Sequence, residues 1–348
     1  MTTLARRSDP TSDHAAFRES ARRFIVGEVV PHLDDWRRYC GVSRAVFAAA
    51  GSHGFLGTCV PEEFGGGDVG DYRFLAALIE ETVNAGSVGL ALLWALHAGV
   101  VIPQLLEHGA PEIRQGLLPG LASGEIIGVA AGGGDGRAVP GARLADIVLL
   151  TGGDGVDLLR VTAAGTATIP SPATLTAPEA GCADLVITST NPDILTPLPG
   201  AGELVGRDID LWIAVVARAA AHRSTELAIH YAENRRVFGK PLAEFENTQM
   251  RLAEIAAELR SVTTYVDQCL TVRSASVLDV TDAAAARDVA IRLAGRAADQ
   301  SLQLHGGYGY MREYPIAQAF ADTRFLATAA QRFSDSRRVV AAGLFSGR

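Results

Sequence analysis

The chain has 348 residues, of which 48% are hydrophobic and 20% are charged, and its formal net charge at pH 7 is −8. This length allows a sizeable core divided over two or three domains, and the negative charge argues against a nucleic-acid binder, which needs a basic face. Residues 1–10 hold no apolar run of the kind that a signal peptide needs. The apolar segment 88–102 is shorter than the ~18 residues of a membrane span, and it contains His97. We therefore expect a cytoplasmic protein without a membrane span.

Residues 11 to about 127 have the periodicity of helices. Apolar residues share one helical face at Phe17, Ala21, Phe24 and Ile25, and again at Leu75, Leu78, Ile79 and Val83. The run of glycines at 65–67 separates these two groups of helices. The sequence predicts a helical N-terminal domain over residues 1–127. We expect His97, on its apolar stretch, to be a hydrogen-bonded core residue.

Residues 128–203 change character and indicate a small β unit. Short apolar or β-branched runs occur at 147–150, 158–161 and 185–188, and clusters of Gly, Pro, Asp and Asn separate them. Helical periodicity is absent from this part of the chain. The sequence therefore predicts a middle β domain over residues 128–203.

Residues 207–348 return to helical periodicity, and the C-terminal domain is predicted over residues 204–348. The clearest seam has spacings of three and four residues, at Leu252, Ile255, Leu259, Val262, Val266 and Cys269. Further helices are predicted around Trp212–Tyr231, over about 281–304, and from Pro315, which suits a first helical turn. The fold class is thus mainly α with a small β domain, ending in a C-terminal four-helix bundle. A doubly wound sheet is excluded because strands and helices do not alternate.

The four cysteines give no sign of a metal site. Cys40, Cys59, Cys182 and Cys269 lie far apart, with neither CxxC spacing nor His companions at ligand intervals. Reduced thiols in a cytoplasmic protein are the simplest interpretation, and we predict no metal.

Two short stretches carry most of the chemical signal. The first, from Arg235 to Leu242, reads RRVFGKPL, and the second, from Gln303 to Tyr310, reads QLHGGYGY. Each is a link between two helices, in which glycines permit the turn. Helix ends expose backbone groups that can hold phosphates. We expect His305, beside the glycine pair, to be a hydrogen-bonded residue at a helix end.

Together with PEEFGG at residues 61–66, these stretches resemble motifs of the flavin-dependent acyl-CoA dehydrogenase family, in the same order. The resemblance covers roughly residues 13–345. It implies a helical N-terminal domain, a middle β domain, here shortened, and a C-terminal four-helix bundle, which is the order that periodicity predicts. It also implies α,β-desaturation of an acyl thioester with FAD as the cofactor.

The resemblance assigns cofactor contacts to the two turn stretches. Arg235 and Phe238 match the residues that touch the flavin nucleotide of a neighbouring subunit, and Gln303 and Gly307, with Gly306 beside it, match those around its ADP part. An arginine offers a fixed fork of donors for a pyrophosphate, and a glycine lets the backbone approach it closely. The implied assembly is a dimer or tetramer.

The family's catalytic base is missing from its usual position. Counted from Asp322 and Arg324, the Glu is replaced by Ala330, which cannot take a proton. Some members place the Glu on an earlier helix, where this chain has Ile209 between Asp208 and Asp210. Asp210 is the candidate base if the helix shifts locally, since one residue is about 100° of rotation. The commoner use of both aspartates would be to cap a helix that starts before Leu211.

Three further departures from the family's pattern argue against a complete FAD and thioester site made from this chain only. The segment 129–136, which reads VAAGGGDG, replaces the family's Thr-Glu-Pro loop, the β unit is short, and Glu246 stands where a Gln is usual.

Three hypotheses remain open. The chain is a subunit without a base that shares FAD with a related chain, or a self-sufficient acyl-CoA or acyl-carrier-protein dehydrogenase with a displaced base, or a non-redox or structural member of the fold.

Overall fold

A computed structural model describes residues 4, 7, 9–133, 136–152, 155–161, 163–172, 174–189, 191 and 193–345. Its helices before residue 127 are α1 (Ser12–Phe24), α2 (Leu33–Arg38), α3 (Arg44–Ser52), α4 (Arg73–Asn84), α5 (Val88–Trp94), α6 (Ile102–His108) and α7 (Pro111–Ser123). Side-chain oxygens cap the N-termini of several of these helices, because the first turn of a helix leaves backbone N–H groups unpaired. Thr11 caps α1, Ser43 caps α3 and Ser87 caps α5.

The helices α5 and α6 form one continuous apolar helix, joined by a π-helical turn over Ala95–Val101. By length and composition the segment Val88–His108 could cross a membrane, but its most apolar 18 residues are buried inside the protein, as in a core helix. His97 lies fully buried in its middle. Nδ1 of His97 accepts from the Gly128 N–H at 3.1 Å, so Nε2 carries the proton and donates to the Leu121 carbonyl at 3.0 Å. The predicted core role of His97 is confirmed.

The β unit consists of six short strands among the described residues, and the second, third and fifth overlap the predicted runs. They are β1 (Gly128–Ala131), β2 (Ile147–Gly152), β3 (Gly155–Arg160), β4 (Thr166–Pro170), β5 (Ala183–Ile187) and β6 (Leu195–Pro197). One sheet has the order β1-β2-β3-β6, with β1 parallel to β2 and the other neighbours antiparallel, and β4 pairs separately with β5. The first half of β2 and the second half of β3, which pair with each other, are mostly buried. This part of the sheet therefore packs against the helical core.

The C-terminal helices are α8 (Gly202–Asn234), α9 (Glu246–Ala275), α10 (Val280–His305), α11 (Pro315–Phe333) and α12 (Ser336–Phe345). The first four pack against one another, and α12 packs on α10. In the predicted seam of α9, all positions from Ile255 to Cys269 are buried and Leu252 is half-buried. The predicted fold class and helical bundle are confirmed. The division at residues 127 and 203 stays a prediction, while the change from strand to helix falls at Gly202.

The cap assigned to Asp208 and Asp210 is wrong. The helix α8 begins at Gly202, so both aspartates lie inside it, where no backbone N–H is unpaired. Both side chains are buried: Asp208 pairs with the adjacent Arg207 and with Arg273 of α9, and Asp210 pairs with Arg287 of α10. Packing against the core therefore extends this helix through glycines at 202 and 206 that sequence patterns read as loop.

Candidate functional site

The two turn motifs meet on one face of the molecule. Between α8 and α9, the strands β7 (Arg236–Val237) and β8 (Lys240–Pro241) form a hairpin. Its two turn residues, Phe238 and Gly239, have φ of 50° and 83°. A two-residue turn with both φ positive suits the twist of a hairpin, but a bulky residue seldom adopts it. The ring of Phe238 is 95% exposed, so within the chain its strained conformation is not compensated by burial.

The end of α10 faces this hairpin. The helix stops at His305, and Gly306 follows with φ 59° and ψ −136°, a conformation that glycine alone adopts readily. His305 Nδ1 donates to the Ser301 carbonyl at 2.7 Å, and its ring stacks on Tyr231 at 4.0 Å. Burial lowers the pKa of His305. His305 is thus the hydrogen-bonded residue at a helix end that the sequence predicts.

A groove of about 430 Å³ runs between the two motifs. Arg235, Gly306 and Gly307 line it, whereas Phe238 and Gln303 are exposed beside it and are not among its described lining residues. The Arg235 guanidinium lies 5.3 Å from the centre of the Tyr308 ring, and no described carboxylate lies within ion-pair distance of it. We call Arg235, Phe238, Gln303, Gly306 and Gly307 the turn cluster.

The turn cluster meets the physical needs of a phosphate-bearing cofactor. A Cβ added to Gly306 or Gly307 would meet no heavy atom within 4 Å, so this backbone faces open space. Arg235 supplies a cation beside it, and Phe238 supplies an exposed aromatic ring. The cluster is open to solvent, so a ligand bound there would need a second surface to cover it.

The position of the missing base lies in a closed part of the protein. Ala330 is buried and helical, since α11 continues to Phe333. Arg287 of α10 donates to the Ala330 carbonyl at 3.1 Å and pairs with the Asp210 carboxylate at 2.7 Å. The hydroxyl of Ser334 approaches the same carboxylate at 3.4 Å. Asp210 therefore lies beside the end of α11 that carries Ala330.

Burial raises the pKa of Asp210 to about 6 and outweighs the opposing effect of Arg287. Asp208 lies in a denser ionic group, with Arg207 at 2.9 Å, Arg273 at 2.9 Å and the Gln104 amide at 2.8 Å. Ile209 is buried in the core. Of the two aspartates, Asp210 is the one next to the predicted base position.

A cavity of about 280 Å³ lies against the same part of α11. Arg324, Ala329 and Arg332 line one side, and the loop between β4 and β5 lines the other. Asp210 is not among the described residues that line this cavity. The glycines after β1 pack closely here, because a Cβ on Gly132 would collide with the backbone of Arg332 and Phe333. The remainder of the predicted loop change, Gly134 and Asp135, lies outside the described residues.

A second and larger cavity, about 810 Å³, adjoins the first. Thr174 and Pro178 line both. Its walls include four arginines, Arg37, Arg38, Arg223 and Arg312, and we call it the arginine cavity. Arg37 and Arg38 are adjacent, but Arg223 and Arg312 lie far from them in sequence and none belongs to a motif, so sequence patterns gave no signal for this cavity.

Comparisons with known proteins agree with the fold and with the motifs. Family models match residues 11–125 as the N-terminal domain of acyl-CoA dehydrogenase and residues 211–330 as its C-terminal domain. The mitochondrial long-chain specific acyl-CoA dehydrogenase of Mus musculus is 30% identical over 90% of this chain and 82% of its own length. An acyl-CoA dehydrogenase from Geobacillus kaustophilus superposes with a TM-score of 0.85 at 26% identity, covering 96% of this chain and 98% of its own.

A glutaryl-CoA dehydrogenase from Mycobacterium smegmatis, solved in complex with FADH2, shares the fold at 18% identity, with a TM-score of 0.84 over 97% of this chain and 95% of its own. The helical domains, the small β unit and the turn motifs define the fold of an acyl-CoA dehydrogenase, which is an oxidoreductase. The chain belongs to the acyl-CoA dehydrogenase family. The predicted family, fold and enzyme class are confirmed.

Proposed function

We propose that this chain takes part in the α,β-desaturation of an acyl thioester, as a subunit that shares FAD with a related chain. The proposal rests on a contrast between the turn cluster and the predicted position of the catalytic base. The turn cluster is complete and exposed, with Phe238 95% exposed in a strained turn. The base position is Ala330, and the nearest acid, Asp210, is buried in an ion pair.

In this proposal the turn cluster holds the phosphates of an FAD whose flavin ring lies mainly in the partner. Arg235 donates to the pyrophosphate, since its planar fork matches two phosphate oxygens. Gly306 and Gly307 let the backbone come close, and Gln303 offers an amide. Phe238 packs against the partner, which removes its ring from water. Bound FAD would supply the acceptor for the hydride that leaves the β-carbon of the thioester.

The residues around Ala330 then have a supporting function. The carboxylate that removes the α-proton comes from the partner, because Ala330 cannot accept it. Arg287 holds Asp210, the Ala330 carbonyl and the Ser334 carbonyl together, which fixes the end of α11. The acyl group is carried by coenzyme A or by an acyl carrier protein.

The test compares the chain alone with the chain co-expressed with a homologue that retains the Glu. We expect little FAD and no turnover from the single chain, and near-stoichiometric FAD with turnover from the complex. Arg235→Gln in the complex should lower FAD content, and Arg251→Gln, on the exposed side of α9, is the matched control. Full FAD occupancy and turnover of the single chain would contradict shared FAD.

A second candidate, a self-sufficient enzyme that uses Asp210 as its base, is supported by one observation. Asp210 shares Arg287 with the Ala330 carbonyl, so its carboxylate is beside the usual base position. A base near neutral pKa suits proton abstraction at physiological pH, and burial raises the pKa of Asp210 to about 6. Asp210→Asn separates the two candidates, because only the second requires this carboxylate for proton transfer.

A further inference from the structure

We propose that the arginine cavity binds a nucleoside phosphate, at a site distinct from the turn cluster. This inference goes beyond the proposed function and does not depend on it. The cavity lies between α2, the end of α4, the middle of α8 and the segment from Tyr310 to Asp322. Its volume of about 810 Å³ suits a nucleotide, because pockets for small molecules commonly measure about 300–1,000 Å³.

The charges that line the cavity favour an anion. Four arginines face three acids, which are Asp34, Glu313 and Asp322. Asp322 is 1% exposed, and its Oδ1 accepts from the Ala177 N–H at 2.8 Å and from the Gln318 amide at 2.6 Å. Burial and the neighbouring Glu179 raise the pKa of Asp322, which favours its neutral form. Cations therefore outnumber anions on the walls.

Two of the arginines lie beside each other at Gly86. Arg37 Nη2 donates to the Gly86 carbonyl at 2.7 Å, and Arg223 bonds the Asn84 carbonyl. A Cβ on Gly86 would lie 3.1 Å from Arg223 Nη2 and 3.9 Å from Arg37 Nη2. Burial and the charge of Arg37 lower the pKa of Arg223. Two like charges held this closely repel each other, and a bound oxyanion would relieve that repulsion.

The two guanidinium groups differ in their acidic partners. No described carboxylate lies within ion-pair distance of Arg223, although Asp322 and Glu226 act on it from farther away. Arg37 Nε pairs with Glu179 Oε2 at 3.8 Å, beyond hydrogen-bond distance, while Glu179 Oε1 accepts from the Ser87 hydroxyl at 2.9 Å. The Arg37 Nε is buried without a hydrogen-bond partner.

An aromatic ring on the wall favours a nucleoside phosphate over inorganic phosphate. Tyr310 lines the cavity with 75% of its surface exposed, and Arg312 and Arg38 lie on the same walls. Bases stack readily on such exposed rings. A nucleotide whose phosphates bind Arg37 and Arg223 and whose base stacks on Tyr310 would use both the arginines and the exposed ring.

A purely structural role explains only part of this arrangement. Arg37 and Arg223 each satisfy one carbonyl at the end of α4, where helix carbonyls lack partners. That role needs neither Arg312 nor Tyr310, and it does not require a cavity of this size.

Equilibrium dialysis of labelled ADP against the purified protein, with its flavin and any partner chain, tests the site. We expect one ADP per chain, displaced by pyrophosphate. Arg223→Gln and Arg312→Gln should each weaken binding by roughly tenfold or more, since each removes a charge-assisted contact. Tyr310→Ala should weaken ADP binding but not pyrophosphate binding. Arg251→Gln is the matched control.

The outcomes separate this site from the turn cluster and identify its ligand. Arg235→Gln should change FAD content and leave ADP binding at the arginine cavity intact. Competition by coenzyme A would assign the site to the nucleotide end of a thioester, and ADP binding without that competition would assign it to a free nucleotide. Circular dichroism shows whether Arg223→Gln remains folded. If it does not, ADP binding by Arg312→Gln, a change at an exposed residue, decides the test instead. Absence of saturable ADP binding, or binding unchanged in Arg312→Gln and Tyr310→Ala, overturns the proposal.

Discussion

At the residue scale, Asp210 is held between two opposing influences. Burial favours its protonated form, and the Arg287 guanidinium at 2.7 Å favours its charged form. Burial has the larger effect, so the carboxyl titrates near physiological pH instead of near its ordinary value of 3.8. This places Asp210 in the range where a general base works, but leaves it tied to a cation.

The pH dependence of turnover shows whether Asp210 acts as a base. The ionised carboxylate is the active form of a base, so activity should rise with pH through an apparent pKa of about 6. Asp210→Asn should abolish turnover in that case, and Asp210→Glu should retain part of it with a shifted profile. Unchanged turnover in Asp210→Asn excludes this residue and leaves the shared-site proposal.

Phe238 should matter only in the assembly. Because the ring is 95% exposed in the chain, Phe238→Ala removes no internal packing. We expect its melting temperature as a single chain to stay within about 1–2 °C of wild type, since surface changes cost under about 0.5 kcal/mol. The same variant should lose FAD in the complex. Val277→Ala, at another exposed apolar position, should keep FAD.

At the element scale, a buried ionic group joins α1, α4 and α8. Glu80 of α4 is bonded to Arg7 at 2.9 Å, Arg18 at 2.7 Å and Arg218. Burial acts to raise the pKa of Glu80, but the three arginines outweigh it and lower the pKa to about 2. The carboxylate therefore stays charged over the whole physiological range.

Glu80→Gln should lower the free energy of unfolding by about 3–5 kcal/mol, because it removes the anion that three arginines share and leaves the buried Arg218 without a paired carboxylate among the described residues. Glu19→Gln breaks only the exposed pair with Arg22 and should cost under about 1 kcal/mol. Urea titration of both variants measures the difference. Equal losses would mean that the Glu80 group contributes nothing beyond a surface ion pair.

The sequence predicted those elements whose signal is local. The seam from Ile255 to Cys269 and the strand at Ile147 follow from spacing alone. The start of α8 does not, because its glycines have poor helix propensity and only tertiary packing makes them helical. The partners of Glu80 and Asp208 also escape prediction, since each pair links residues distant along the chain. The turn cluster was found because its residues are consecutive, and the arginine cavity was missed because its residues are dispersed.

At the scale of the whole molecule, His97 makes stability depend on pH. It joins the long core helix to β1, and burial lowers its pKa from 6.5 to about 4. The unfolded chain binds a proton there at a higher pH than the folded one does. Stability is therefore complete above about pH 6.5 and declines as the pH falls towards about 4.

The decline should amount to a few kcal/mol for this group, from the linkage of pKa to stability. His97→Gln keeps a donor and an acceptor without a titrating proton, so its unfolding free energy should change less between these pH values. Denaturant titrations at pH 7 and pH 4.5 measure both proteins. A slope as steep in His97→Gln as in wild type would assign the effect to other groups.

The segment 174–178 separates the two cavities, and Thr174 and Pro178 face both. Two bonds from α11 hold it in place, one from the Gln318 amide to the Leu175 carbonyl and one from the Ala177 N–H to Asp322. Movement of this segment towards one cavity narrows that cavity and enlarges the other. A ligand that displaces this segment from one cavity therefore changes the affinity of the other cavity for its own ligand. The change in binding free energy is the same in both directions. We therefore expect a ligand beside Ala329 and a ligand at Arg223 to change each other's affinity through this segment of five residues.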